Sequence, residues 1–147
     1  MEDQRKPKDL PYEMTPEESL LRDQIYDVIS TIRDPEKPYT LEDLDVVNDE
    51  LIMVRSTKDK EYTYAIIKWV PTVPHCHLAL TIALCMRAKI ERELGLPNLK
   101  IDIIVEDGKH QQKGEIDRQV NDKERYSAAL EKEEVMDVIE DLIKDQY

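Results

Sequence analysis

The stretch Tyr62-Thr63-Tyr64-Ala65-Ile66-Ile67-Lys68-Trp69-Val70, followed through His77–Glu93 to Leu99–Val105, decides the fold. β-Branched and aromatic residues crowd the first segment, which predicts a strand. Pro71 and Pro74 break it. His77 to Glu93 then predicts a long helix. Its first half (Leu78, Leu80, Ile82, Leu84, Met86) is apolar on nearly every side, so that helix is buried centrally or lies at an interface. Gly95 and Pro97 are stop signals. Leu99, Ile101, Ile103 and Val105 alternate with polar residues and predict a further strand.

Working outward towards the N-terminus, Glu50–Arg55 has the same strand character, and the polar Ser56–Lys60 between the two runs predicts an antiparallel hairpin. Thr40-Leu41-Glu42-Asp43 starts a short turn, and Asp34-Pro35 ends an earlier helix. That helix opens with a capping box at Thr15-Pro16-Glu17-Glu18 and carries Leu21, Ile25, Val28, Ile29 and Ile32 as one apolar stripe. Residues 1–14 are polar, with Pro7 and Pro11, and read as a mobile tail. Taken with the helix start, 1–18 is set apart as a flexible N-terminal segment and 19–147 as one domain.

Towards the C-terminus a loop, Glu106–Gly114, holds Asp107-Gly108, His110 and Gly114. Two helices close the chain. One starts near Glu115, or restarts at Asn121 with Glu124 in capping-box position; the other carries Val135, Val138, Ile139, Leu142 and Ile143. The last 17 residues hold seven acids and two bases, a net of −5. This order implies an α+β domain of two layers, a small mixed sheet (the hairpin plus a further strand) packed against helices that cover mainly one face.

The 147 residues carry 21 bases against 33 acids, a formal charge of −12, with 40% hydrophobic and 37% charged residues. That balance argues against direct binding of nucleic-acid phosphates or of anionic lipid. No apolar run is long enough to span a bilayer, and Met1–Glu18 lacks the apolar centre of a secretion signal. Two cysteines do not make a disulfide framework. The expectation is a soluble, reduced, intracellular single domain.

The segment that stands out chemically is Pro71-Thr72-Val73-Pro74-His75-Cys76-His77. It delivers a cysteine to the start of the central helix, where free amides and the positive end of the dipole favour a thiolate, both a nucleophile and a soft-metal ligand. The plain alternative is a small buried hydrophobe. Cys85 lies nine residues on, half a turn out of phase and about 13 Å along the axis, so it reads as core and cannot bridge to Cys76. His75, His77 and His110 are the only histidines. Asp137 and Glu140 share a helix face, and with His75 and His110 they make a chemically sensible zinc or iron site. The alternative is a solvated loop histidine and a solvated acidic face, since no short metal-ligand motif is present. There is no glycine-rich phosphate loop and no nucleophile-elbow serine. The residues by themselves describe a small binding or scaffold domain with one unusual cysteine loop. Asn121-Asp122-Lys123-Glu124-Arg125 is either a partner surface or an exposed capped turn.

Four segments in order, Ile32-Arg33-Asp34-Pro35-Glu36-Lys37-Pro38, Thr40-Leu41-Glu42-Asp43-Leu44, Pro71-Thr72-Val73-Pro74-His75-Cys76 and Asn121-Asp122-Lys123-Glu124-Arg125, resemble the cytosolic iron–sulfur assembly component 2 (MIP18-type) family, and more nearly its A-type branch. The resemblance covers about residues 19–145. It implies a non-enzymatic adaptor that joins a WD-repeat propeller protein and, in many cases, a helical-repeat adaptor. Such an assembly hands iron–sulfur clusters to apo-proteins in the cytoplasm and nucleus, and the family is linked to chromosome segregation. It further implies a functional thiol at Cys76 that can hold a cluster transiently. The implied metal site uses His75, His110, Asp137 and Glu140 and is shared across a domain-swapped homodimer. Asp137 stands where the family pattern has glutamate, and His77 where it has serine. The competing readings are a metal- or thiol-dependent enzyme using His75, Cys76 and His110, and a purely structural homodimer.

Overall fold

The computed structural model describes residues 13–72 and 76–144, and for Cys76 the backbone alone. His75 and the Cys76 side chain, with the tail up to Tyr12, therefore lie outside the described residues.

Helix α1 (Pro16–Ser30) opens with the expected capping box. The Thr15 hydroxyl accepts from the Glu18 amide at 3.1 Å and Glu18 Oε1 accepts from the Thr15 amide at 2.9 Å. Glu18 is buried because its second oxygen accepts from the Ser56 amide at 2.8 Å, fastening the start of α1 to the first strand. Residues 16–18 are thus helical, although they fall in the segment the sequence set apart as tail. The other end also differs from expectation. The helix stops at Ser30, and Ile32 is buried on the outgoing chain rather than on the helical stripe. Here Leu41 donates to the Ile32 carbonyl at 2.8 Å and Arg33 pairs with Thr40, closing a small loop before Asp34-Pro35 can act as a helix stop. Inside that loop one Asp34 oxygen accepts from the amides of Glu36 and Lys37, each at 2.9 Å, a turn that the proline before them favours.

A short 3₁₀ turn (Asp49–Leu51) leads into β1 (Ile52–Ser56), which pairs antiparallel with β2 (Thr63–Trp69). Helix α2 (Cys76–Leu94) crosses to β3 (Leu99–Val105), which lies parallel to β2 with Thr63 opposite Leu99 and Trp69 opposite Val105. The sheet is mixed, ordered β1-β2-β3, and with five helices among the described residues the fold is the α+β arrangement the sequence implied. Ile52, Val54, Ala65, Ile67, Trp69, Ile103 and Val105 share one strand parity and are buried in the same core as Ile25, Ile29, Ile82, Met86 and Ile90 of α1 and α2. Met53, Tyr64, Ile66, Lys68, Lys100, Asp102 and Ile104, of the opposite parity, stay half-buried or exposed. This alternation is what a sheet with one covered face dictates.

α2 is central, as its all-round apolar first half required. Cys85 is fully buried on it, and burial pushes its thiol up to about 12, an inert core position. Lys89, only 3% exposed, reaches the C-terminal end of α1, where its ammonium donates to the Thr31 hydroxyl at 2.7 Å. A cation suits that end of a helix dipole.

Helices α3 (Lys113–Asn121), α4 (Lys123–Leu130) and α5 (Glu133–Ile143) finish the chain. The restart is capped by Asp122, whose carboxylate accepts from Glu124 and Arg125 at 2.9 and 3.1 Å, not by Asn121. Asn121 is occupied elsewhere. Its Oδ1 accepts from the Ile103 amide at 2.9 Å and its Nδ2 donates to the Ile103 carbonyl at 2.9 Å. One turn earlier Asp117 accepts from the Val105 amide at 2.9 Å, while Arg87 donates to the Ile101 carbonyl at 2.7 Å and to Asn121 at 3.0 Å. These side chains take the backbone groups that a fourth strand would have used, which blunts an edge otherwise open to pairing. On α5, Ile139, Leu142 and Ile143 are buried, but Val138 is 44% exposed and does not belong to the core stripe.

Candidate functional site

Cys76 is the first residue of a 19-residue helix that starts where β2 ends. In open sheets, the carboxyl ends of parallel strands are where connecting loops part and leave room for a ligand. β2 and β3 form the parallel pair here, and their carboxyl ends are joined by the Glu106 amide donating to the Trp69 carbonyl at 2.8 Å. The first-turn amides of α2 have no partner within the helix, and the positive end of its dipole lies at this same end of the sheet. The backbone position read from the sequence is therefore the one the fold provides.

His110 lies in the loop after β3, at the same end. Its Nδ1 accepts from the Gln112 amide at 2.9 Å, which leaves the proton of the neutral ring on Nε2. That Nε2 is buried and has no hydrogen-bond partner among the described residues, and the same holds for Nε1 of Trp69, the last residue of β2. Two orphaned donors at one end of one sheet are costly to keep, at about 1–3 kcal/mol each. The sequence flagged His110 but missed Trp69. Its signal was available in the single tryptophan standing beside the proline break.

The two acids behave differently. Glu140 of α5 is held by Arg92 of α2 at 2.6 Å, and the hydrogen bond from that guanidinium keeps its carboxyl below the usual range. Arg92 stands sixteen residues beyond Cys76 on a continuous helix, about 24 Å along the axis. Glu140 is therefore at the far end of α2 from the cysteine loop, and Asp137, exposed, is one turn away on α5. Among the described residues no group of three histidine, cysteine or carboxylate side chains converges on a common point. Among the described residues of one chain Glu140 is paired with Arg92 and not with His110, and His75 of the expected set lies outside the described residues. His77 is exposed, and its carbonyl accepts from the Thr81 hydroxyl at 3.0 Å. The Asn121–Arg125 segment divides between the seal on β3 and an exposed capped turn.

No helix among the described residues is long and apolar enough to cross a membrane. No protein-family model matches the chain. Individual proteins do. The chain is 49% identical over 127 residues to the MIP18 family protein galla-1 of Drosophila melanogaster, covering 86% of this chain but only 57% of that one. It is 43% identical over 136 residues to the MIP18 family protein FAM96A of Dictyostelium discoideum, covering 82% of this chain and 90% of that one. It is 38% identical over 122 residues to the cytosolic iron-sulfur assembly component 2B of Dictyostelium discoideum, covering 82% and 72% respectively. Identity of 38–49% over more than four-fifths of this chain, and over 90% and 72% of the two Dictyostelium relatives, makes this chain a member of the MIP18 family.

Proposed function

We propose that this protein works in cytosolic iron–sulfur cluster assembly, as a non-catalytic adaptor that helps deliver clusters to apo-proteins in company with a WD-repeat propeller protein. The observation that carries the reading is the 38% identity, over most of both chains, to a protein named as a component of that assembly. The placement of Cys76 supports it. A cysteine at the positive end of a long helix, on the loop that leaves the carboxyl end of a parallel strand, suits brief contact with a soft metal cargo and release of it. Cys85 offers no alternative, since it is buried and its thiol is held protonated.

The test is rescue of depleted cells with wild type, Cys76→Ser and Cys85→Ser, followed by recovery of bound proteins and of radioactive iron in client enzymes. Wild type retrieves a WD-repeat protein and restores iron incorporation. Cys76→Ser retrieves the same protein but restores no more than about a tenth of the incorporation, the size of loss expected when a ligating thiolate becomes a hydroxyl. Cys85→Ser restores incorporation to the extent that it folds. A fully active Cys76→Ser variant removes the thiol from the mechanism, and a wild type that retrieves no propeller protein removes the adaptor role.

A further inference from the structure

The face of the sheet that no described helix covers has a charge unlike the rest of the molecule. The register places Arg55, Tyr64 and Lys100 in one row across the strands, Met53, Ile66 and Asp102 in the next, and Lys68 and Ile104 beyond them. That is three bases against one acid on a chain whose net charge is −12. Tyr62 and Tyr64 are 39% and 46% exposed, and the Lys100 ammonium lies 5.4 Å from the centre of the Tyr62 ring. Met53, Ile66 and Ile104 are half-buried, an aliphatic strip between the two lysines. Neither Lys68 nor Lys100 has an acidic partner within salt-bridge distance among the described residues, although 33 acids are available in the chain.

We infer that this face is a docking surface for an extended acidic segment of a partner protein. The spacing specifies that segment. Lys100 sits opposite Tyr64, and Lys68 is four residues further along β2, so the two cations are about 13 Å apart along the strand direction. An extended chain spans the same distance in four residues. Two carboxylates at i and i+4 therefore meet the two lysines while the side chain at i+2, on the same face, meets Ile66 and Ile104. A nucleic acid is the poorer fit. The overall charge repels polyphosphate, three cations release few counterions, and the centre of the face is aliphatic as well as aromatic. This inference goes beyond the assembly role and stands or falls apart from it, because its assay contains neither cluster nor client.

The experiment is an NMR titration of the full chain with the synthetic peptide acetyl-Ser-Glu-Ser-Leu-Ser-Glu-Ser-amide, and with the same peptide carrying Lys for Glu. At low salt the acidic peptide shifts the amides of Tyr64, Ile66, Lys68 and Lys100 saturably, and the basic peptide does not. Lys68→Glu with Lys100→Glu weakens binding about tenfold, as expected from reversing two exposed pairs. Asp102→Asn, which removes the one acid, strengthens it about twofold. All three substitutions are on the open face, and circular dichroism reports whether the fold is kept. Equal binding of both peptides, shifts confined to the helical side, or no shifts at millimolar peptide each overturn the inference. So does tighter binding of a single-stranded oligonucleotide with the same shifts, or a dimer in sedimentation whose dissociation shifts this face. Those two outcomes would assign the face to nucleic acid or to a second copy.

Discussion

Asn121 shows how much one side chain can hold. It meets both backbone groups of Ile103 and one nitrogen of Arg87, so an alanine there strands a donor and an acceptor on an otherwise sealed edge. Asn121→Ala is expected to cost about 2–4 kcal/mol in urea unfolding, and Asn121→Asp about half as much, because aspartate keeps the acceptor and loses the donor. The Lys89–Thr31 pair separates two effects that are often confused. Thr31→Val leaves a buried ammonium without its 2.7 Å partner and should cost about 2–3 kcal/mol. Lys89→Met keeps the apolar stem, removes the charge and should cost less than about 1.5 kcal/mol. A double-mutant cycle read by urea midpoint checks the order. If the methionine variant is the worse of the two, the pair stabilises the protein by its charge and not merely by being matched.

At the scale of elements, the sequence and the structure agree wherever one period dominates. Leu99 to Val105 alternates apolar and polar residues except at Ile104 and is a strand; the run from Leu78 to Met86 has no polar face and is central. Proline and glycine supplied the boundaries after β2 and α2. The disagreements arise where a residue has two uses of similar local merit. Asn121 and Asp122 are both good helix caps, and only the strand eighteen residues upstream of Asn121 decides which of them does the capping. Ile32 continues the α1 stripe in register, yet it is buried by the chain's return at Leu41, a contact no helical pattern encodes. The candidate site divides in the same way. That a cysteine opens the central helix and that His110 follows β3 in a loop was legible from position. That Glu140 belongs to Arg92 was not, because the pairing depends on how α5 lies on α2.

The molecule as a whole should be sensitive to alkali. Burial, the Glu42 carboxylate accepting the hydroxyl at 3.0 Å and nearby negative charge push Tyr26 up to about 12. Burial and Glu91 hold Tyr126 above the ordinary tyrosine range as well. Both groups favour the neutral phenol in the folded state, so their contribution is complete below about pH 10, the unfolded value, and is lost as the pH rises towards 12 and beyond. The urea midpoint should therefore fall between pH 9 and pH 11.5, and Tyr26→Phe should flatten the part of that fall owed to Tyr26. A midpoint unchanged across that interval would place both hydroxyls in free contact with water.

The edge of β3 has a further consequence. A neighbouring strand holds an edge through a ladder that comes apart only with the sheet, whereas here the closure depends on one nine-residue helix, α3, and an arginine. Lifting α3 would draw Ile116 and Val120 out of the core together with the seal, and it would uncover a strand with its hydrogen-bonding groups directed outward. The chain thus carries a latent pairing edge that stays closed for as long as Ile116 and Val120 keep α3 seated in the core.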